Sequence, residues 1–320
     1  MNLGWLSGGT VTGIGSLPGN DAERAWEASL RWCPLLPFEP TFVEPLVRGR
    51  GRVGWMLTEL FPDSAELFEE FPEQGLIVRR EAETRFAELL ADHTPEFSHN
   101  YSPQFLAHRI VKSQLAGPLT IATCLRFQGS LLIEHPSVFA LLSSYLQRVA
   151  RTLVTALSAK GAVPVVFVDE PMFSPELRDP GVDALDALLL IIQESGGVPG
   201  VHSCAEALPP SWDRRPASII SFDATTPLRF REVLESPEAA RFAERGGTFA
   251  LGAVSPVRSL DRKELLSGMA RLDAKVRTSI FEHSLITPSC GLGLTSWSTA
   301  EETFASAFAL AGALTSAEHV

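Results

Sequence analysis

From residue 110 onward the sequence alternates short apolar runs with longer amphipathic segments, and no other feature restricts its fold as much. The short runs, at 110–116, 163–168, 197–202, 217–222, 248–254 and 284–287, are apolar on both faces. That pattern belongs to parallel strands buried beneath helices. The segments between them predict helices at 135–159, 181–195, 229–245, 260–281 and 299–314. Upstream, residues 10–14 form another strand-like run, and Asn20 is placed to cap a helix over 22–32. A further strand-like segment at 41–45 follows Pro34, Pro37 and Pro40. Residues 46–100 are irregular, charged and glycine-bearing, with a helix expected at 80–92, and read as an insertion or elaboration. About eight strand–helix units in a 320-residue chain, 45% hydrophobic, predict an α/β protein, a single-domain (β/α)8 TIM barrel over residues 1–320. A doubly wound open sheet is the rival, but no Gly-x-Gly-x-x-Gly follows the first strand.

Charge and composition remove several functions. The net charge is −11, and the densest basic run is Arg48-Gly-Arg50-Gly-Arg52, so no nucleic-acid partner is expected. The N-terminal residues have no basic region followed by an apolar one, so no signal peptide is expected. The longest apolar stretches, such as 184–192, are too short to span a bilayer, and that one carries Asp186. These features predict a cytoplasmic protein with no membrane partner. Four cysteines do not make a disulfide framework.

Reactive side chains gather where the predicted strands end, which in a barrel is the catalytic face. Gly15 and Ser16 end the first strand, Asp169 and Glu170 the one at 163–168, His202 and Cys204 the one at 197–202. Asp223 ends the strand at 217–222 and Cys290 the last. His-x-Cys points two donors the same way, because residues i and i+2 share a face of an extended chain. His202, Cys204, Asp223 and Cys290 together make a ligand set suited to one Zn2+. Small buried cysteines and a hydrogen-bonded core histidine would leave the same pattern. Asp169 and Glu170 point to opposite sides, so one can face the mouth and bind a cationic group, or they can cap the following helix. Ile14, Gly15 and Ser16 can present backbone N–H groups and a hydroxyl to a carboxylate, or form a plain tight turn. Cys33 and Cys124 read as ordinary buried thiols, and His108, His135 and His283 as surface or packing residues.

Five segments resemble the catalytic barrel of cobalamin-independent methionine synthase, within the uroporphyrinogen-decarboxylase-like superfamily. Thr12-Gly-Ile14-Gly15-Ser16-Leu-Pro18 resembles the family's Thr-x-Ile-Gly-Ser-Phe-Pro, and Lys112-Ser-Gln-Leu-Ala-Gly117-Pro118-Leu-Thr120-Ile resembles its Lys-x-x-Leu-Thr-Gly-Pro-Val-Thr-Ile. Val168-Asp169-Glu170-Pro171 resembles Ile-Asp-Glu-Pro, His202-Ser-Cys204 the family's His-x-Cys, and Pro288-Ser-Cys290-Gly291-Leu292 its Pro-Asp-Cys-Gly-Leu. The resemblance implies a zinc site of His202, Cys204 and Cys290, with Asp223 where the family has glutamate. It implies that Ile14, Gly15 and Ser16 hold the carboxylate of homocysteine and that Asp169 binds its ammonium group.

Two departures separate this chain from the family. Val254 stands where the family has a histidine before Ser-Pro, and Ala122-Thr123-Cys124 replaces an Asn-Trp that lies near the folate. The resemblance therefore implies methyl transfer to homocysteine or a similar thiol, from a methylcorrinoid, free or protein-bound, rather than folate. A transferase or lyase acting on another thiol such as coenzyme M, a non-catalytic zinc-binding protein and a metal-free decarboxylase-like barrel remain the alternatives.

Overall fold

The computed structural model describes residues 6–42, 61, 65–71, 75–93, 101–172, 181–205 and 208–317. The basic run at 48–52, the end of the predicted 41–45 strand and much of the 46–100 excursion lie outside them. Seven parallel strands form the main sheet, in the order Thr10–Val11, Leu285–Pro288, Thr248–Val254, Ile219–Asp223, Val198–Ser203, Val163–Asp169, Ile110–Ala116. From Ile110 to Pro288 each strand lies beside the next one in sequence, with helices between. The sheet curls into a half-barrel flanked by those helices. A doubly wound sheet would reverse its strand order partway; none is reversed here.

The ladder is not eight strands closed in a ring. Between its two edges runs the segment 37–42. Phe38 bridges Lys112 in parallel, with Glu39 N–H donating to Lys112 O at 2.8 Å and Lys112 N–H to Pro37 O at 2.8 Å. Thr41–Phe42 pairs in parallel with Ser16–Leu17.

Helix boundaries follow local capping chemistry. Asp21, not Asn20, caps Ala22–Trp32, its side chain accepting from Arg24 N–H at 3.1 Å. The helix expected at 229–245 divides into Pro227–Leu234 and Pro237–Glu244, because Pro237 cannot continue a helix and Ser236 caps the new one. The helix expected at 260–281 also divides. Arg262–Met269 starts with an Asp261–Glu264 capping box, and Asp273 caps Ala274–His283. Pro136–Ser158, Gly181–Glu194 and Trp297–Ala317 match their expected positions within a few residues.

A second, four-stranded sheet was not foreseen. Phe68–Phe71 and Gly75–Val78 form a hairpin, and Gly75–Val78 pairs in parallel with Leu125–Phe127, which turns back into Ser130–Leu131. An aromatic cluster of Phe61, Phe68, Phe86 and Tyr145 fastens it to the Pro136–Ser158 helix. Among the described residues, no helix is long and apolar enough to cross a membrane.

The two faces of the main sheet carry different chemistry. Val111, Val166, Val168, Val201, Ile220, Leu251 and Ile286 join the large core under the helices. Alternate residues Ile110, Val165, Phe167, Val198, Ile219, Ala250 and Leu285 form a separate apolar cluster on the other face. Further along four of these strands, that face turns polar. Ile110 gives way to Lys112 and Gln114, Phe167 to Asp169, and Ile219 to Ser221, while Val198 is followed by Gly200 and then His202. The apolar layer is a floor, and the polar layer above it is where a site can form.

Candidate metal centre

Strand register brings the first donor into place. Val198–Ser203 lies between Val163–Asp169 and Ile219–Asp223, so His202 sits beside Asp169 on one side and Ser221 on the other. His202 is buried, and its Nδ1 lies 2.9 Å from Ser221 Oγ. Assigning the Nδ1 proton to that bond leaves the lone pair on Nε2. Nε2 is buried with no hydrogen-bond partner. A metal-ligating histidine usually donates its other ring N–H to a fixed acceptor, and Ser221 Oγ stands in that role here.

Two thiols complete the group. Cys204 follows His202 by two residues, and Cys290 follows the end of Leu285–Pro288 by two. The sulfur atoms are 3.8 Å apart, and one donor atom from each of His202, Cys204 and Cys290 lies within 4.8 Å of the others. A disulfide requires about 2.05 Å, so both thiols are free. Two thiolates each about 2.3 Å from one tetrahedral ion stand about 3.8 Å apart, so the sulfurs are already spaced to share a metal. The hydrogen bond from the Cys204 thiol, helped by His202, pulls the pKa of Cys290 down to about 4. The same bond, with burial, pushes that of Cys204 up. The pair therefore gives up one proton readily, and thiolate is the form that binds metal.

The Cys290 loop is strapped to the start of the chain. Leu292 N–H donates to Ser16 O at 2.8 Å, and Gly293 N–H to Ser16 Oγ at 3.1 Å. A Cβ on Gly291 would collide with Ser16 Oγ, so only glycine allows this approach.

The three donors open onto a cleft of about 460 Å³. Of the residues singled out in the sequence, Ile14, Gly15, Ser16, Asp169, His202, Cys204 and Cys290 line it. Asp169 is buried, and its Oδ1 has no partner. Burial pushes its pKa up to about 6, while His202 and Lys112 pull the other way and Cys290 adds to the rise. It is an anionic group held ready for a cation.

Glu170 and Asp223 are placed elsewhere. Glu170 is fully buried and accepts from Leu119 N–H, Thr120 N–H and Thr120 Oγ1–H at 3.0, 2.7 and 2.7 Å. It caps the Pro118–Cys124 helix and does not line the cleft. Asp223 accepts from Thr225 N–H at 2.8 Å and Thr225 Oγ1–H at 2.7 Å, and it is not among the three clustered donors. Both of these bonds fall on Asp223 Oδ1, so the turn at Asp223-Ala-Thr225 engages one of the two carboxylate oxygens.

Gln114, Met172 and Leu294 also line the cleft and were not singled out from the sequence, and Cys124, read as a buried thiol, is half-buried and lines it too. For Gln114 a signal existed. Lys112 and Gln114 are two polar residues at alternate positions of a strand that is otherwise mostly apolar. Period-two alternation places both on the face that carries Asp169 on the next strand.

Neither a scan of protein-family models nor a search of curated proteins finds a match for this chain.

Proposed function

We propose that this chain is a zinc-dependent methyltransferase that methylates a small amino-acid thiol such as homocysteine, like the cobalamin-independent methionine synthase barrels it resembles. On this reading the half-barrel is a variant of the (β/α)8 barrel in which the segment 37–42 takes the eighth strand position. The observation that carries the proposal is the convergence of His202, Cys204 and Cys290 on one cleft with Asp169 and the Ile14–Ser16 turn.

Two sulfurs and one imidazole, spaced for a tetrahedral ion, favour zinc over a hard cation such as magnesium. Three protein donors leave a fourth position for substrate, which is the pattern of a catalytic site. When bound, zinc supplies the deprotonation of a substrate thiol whose ordinary pKa is about 8.5. The chain's own residues do the rest. Asp169 takes the substrate ammonium, the Ile14–Ser16 turn takes its carboxylate, and the buried wall of the cleft keeps bulk water from the reacting sulfur. An ammonium-binding carboxylate favours an amino-acid thiol over coenzyme M, which has none.

The donor side favours a methylcorrinoid over folate. Val254 is fully buried and has no proton to give, so this position cannot protonate a departing folate nitrogen. A corrinoid leaves without needing that acid.

The test measures metal and activity together. Protein purified without added metal should hold close to one zinc per chain. It should methylate homocysteine from methylcobalamin faster than from methyltetrahydrofolate. Less than about half an equivalent of zinc, or no methionine from either donor, would refute the proposal.

A further inference from the structure

The polar layer of the sheet contains a buried lysine that the metal centre does not use. Lys112 is fully buried. Its Nζ donates to the carbonyl of Ile14 and to Gln114 Oε1, the latter at 2.7 Å, and lies 4.8 Å from the centre of the Phe167 ring. A buried ammonium costs several kcal/mol unless it is paired and hydrogen-bonded, so its retention calls for a reason.

Two of its acceptors bear on the cleft. Ile14 is the first residue of the turn that lines the cleft, so Lys112 braces that turn from beneath. Gln114 lines the same cleft, and its carboxamide packs so closely on Gly15 that a Cβ there would collide with it. Lysine can only donate hydrogen bonds, which settles which end of the carboxamide faces it: the oxygen must, and the NH2 lies on the other side. One N–H goes to Glu39 O at 3.1 Å. The NH2 carries a second proton, so one donor remains at the cleft wall beside the Ile14–Ser16 turn. Gln114 lies two residues before Ala116, the register partner of Asp169, so the donor and the ammonium-binding carboxylate share one wall on neighbouring strands.

We infer that Gln114 is a specificity-determining residue that donates its second amide N–H to the substrate carboxylate, and that Lys112 is the positioning residue that fixes this orientation and braces the turn. The assignment rests on the proposed reading of the cleft as an amino-acid thiol site. It makes the carboxylate a required feature of the substrate. A thiol amine of the same length without it, 3-aminopropane-1-thiol, fills only the metal and Asp169 ends of the cleft.

The experiment compares homocysteine with 3-aminopropane-1-thiol, each titrated into zinc-loaded protein by calorimetry and then tested as a methyl acceptor. Wild type should bind homocysteine at least tenfold more tightly. Gln114→Glu keeps the shape and can still accept from Lys112, but it loses the donor and opposes the carboxylate. It should weaken homocysteine at least tenfold, mainly in KM, and change 3-aminopropane-1-thiol by less than threefold. Lys112→Met should shift selectivity in the same direction. Both variants should retain wild-type zinc content, which excludes a collapsed site. Equal weakening of both thiols, or unchanged homocysteine affinity in Gln114→Glu, overturns the assignment and leaves the thiol site standing. A wild type that binds neither thiol overturns the proposed function and this assignment with it.

Discussion

At the scale of single residues, the donors of the candidate centre differ in how firmly the chain holds them. His202 is fixed by burial and by Ser221; Cys204 and Cys290 are fixed by each other and by their loops. Cys204→Ala and Cys290→Ala should each abolish stoichiometric zinc, read by elemental analysis of the folded protein. Ser221→Ala leaves all three donors but frees the imidazole, and should weaken zinc about 10- to 100-fold in competition with a chromophoric chelator. Asp223→Ala should lower zinc content far less than either cysteine variant, because Asp223 stands outside the three clustered donors and Thr225 ties up one of its oxygens. Loss of zinc as complete as in Cys204→Ala would restore Asp223 as the fourth ligand. The donor set was readable from residue types and strand ends. The local bonds of Asp223 were not, because a hydroxyl two residues away engages one of its oxygens and spacing along the chain does not rank such local competitors. Lys112 was visible only as part of a motif, since a lysine in a strand normally reads as solvent-facing.

At the scale of elements, the Val163–Asp169 strand places two adjacent carboxylates on opposite duties. Asp169 faces the cleft, and Glu170 turns under the Pro118–Cys124 helix, where Gly117 leaves it room. Glu170→Ala would strand two backbone N–H groups and the Thr120 hydroxyl, and should cost about 2–4 kcal/mol in denaturant unfolding. Burial raises the pKa of Glu170 from an ordinary 4.5 to about 7, against the pull of its three donors. An acid whose folded pKa stands above its unfolded value adds most stability while protonated. That contribution is complete below about 4.5 and is lost as pH rises through about 7. Stability should therefore fall between pH 5 and 7 by up to about 1.4 kcal/mol per unit from this group, and Glu170→Gln should flatten that slope. A slope unchanged in the variant would assign the pH dependence elsewhere. The strands of the main sheet were legible because each is a local apolar run. The small sheet was not, because Leu125–Phe127 finds its partner at Gly75–Val78, far away in sequence and silent in local periodicity. The divided helices were missed for a simpler reason: Pro237 and Asp273 sit inside apolar patterns that continue in phase across them.

At the scale of the whole molecule, the candidate metal centre draws on three separated parts of the chain held in one curled sheet. His202 and Cys204 belong to the middle of the sheet, and Cys290 to a loop hung on Ser16. A ligand that binds only the folded state stabilises it by about 2.7 kcal/mol at one hundred times its dissociation constant. Removing metal with a strong chelator should therefore lower the unfolding temperature reversibly, and added zinc should restore it. Ser16→Ala touches no donor yet removes one strap from the Cys290 loop. It should weaken zinc at least several-fold while leaving the metal-free unfolding temperature nearly unchanged.

The strap between Ser16 and Gly293 spans 277 positions of sequence. During translation Ser16 must wait for 277 further residues before Gly293 leaves the ribosome. A chain stopped short of Cys290 holds only His202 and Cys204 of the candidate donor set, and two donors grip an ion weakly. On the proposed reading, stable zinc uptake would be a sign that translation has passed Cys290 and that the early and late segments have met.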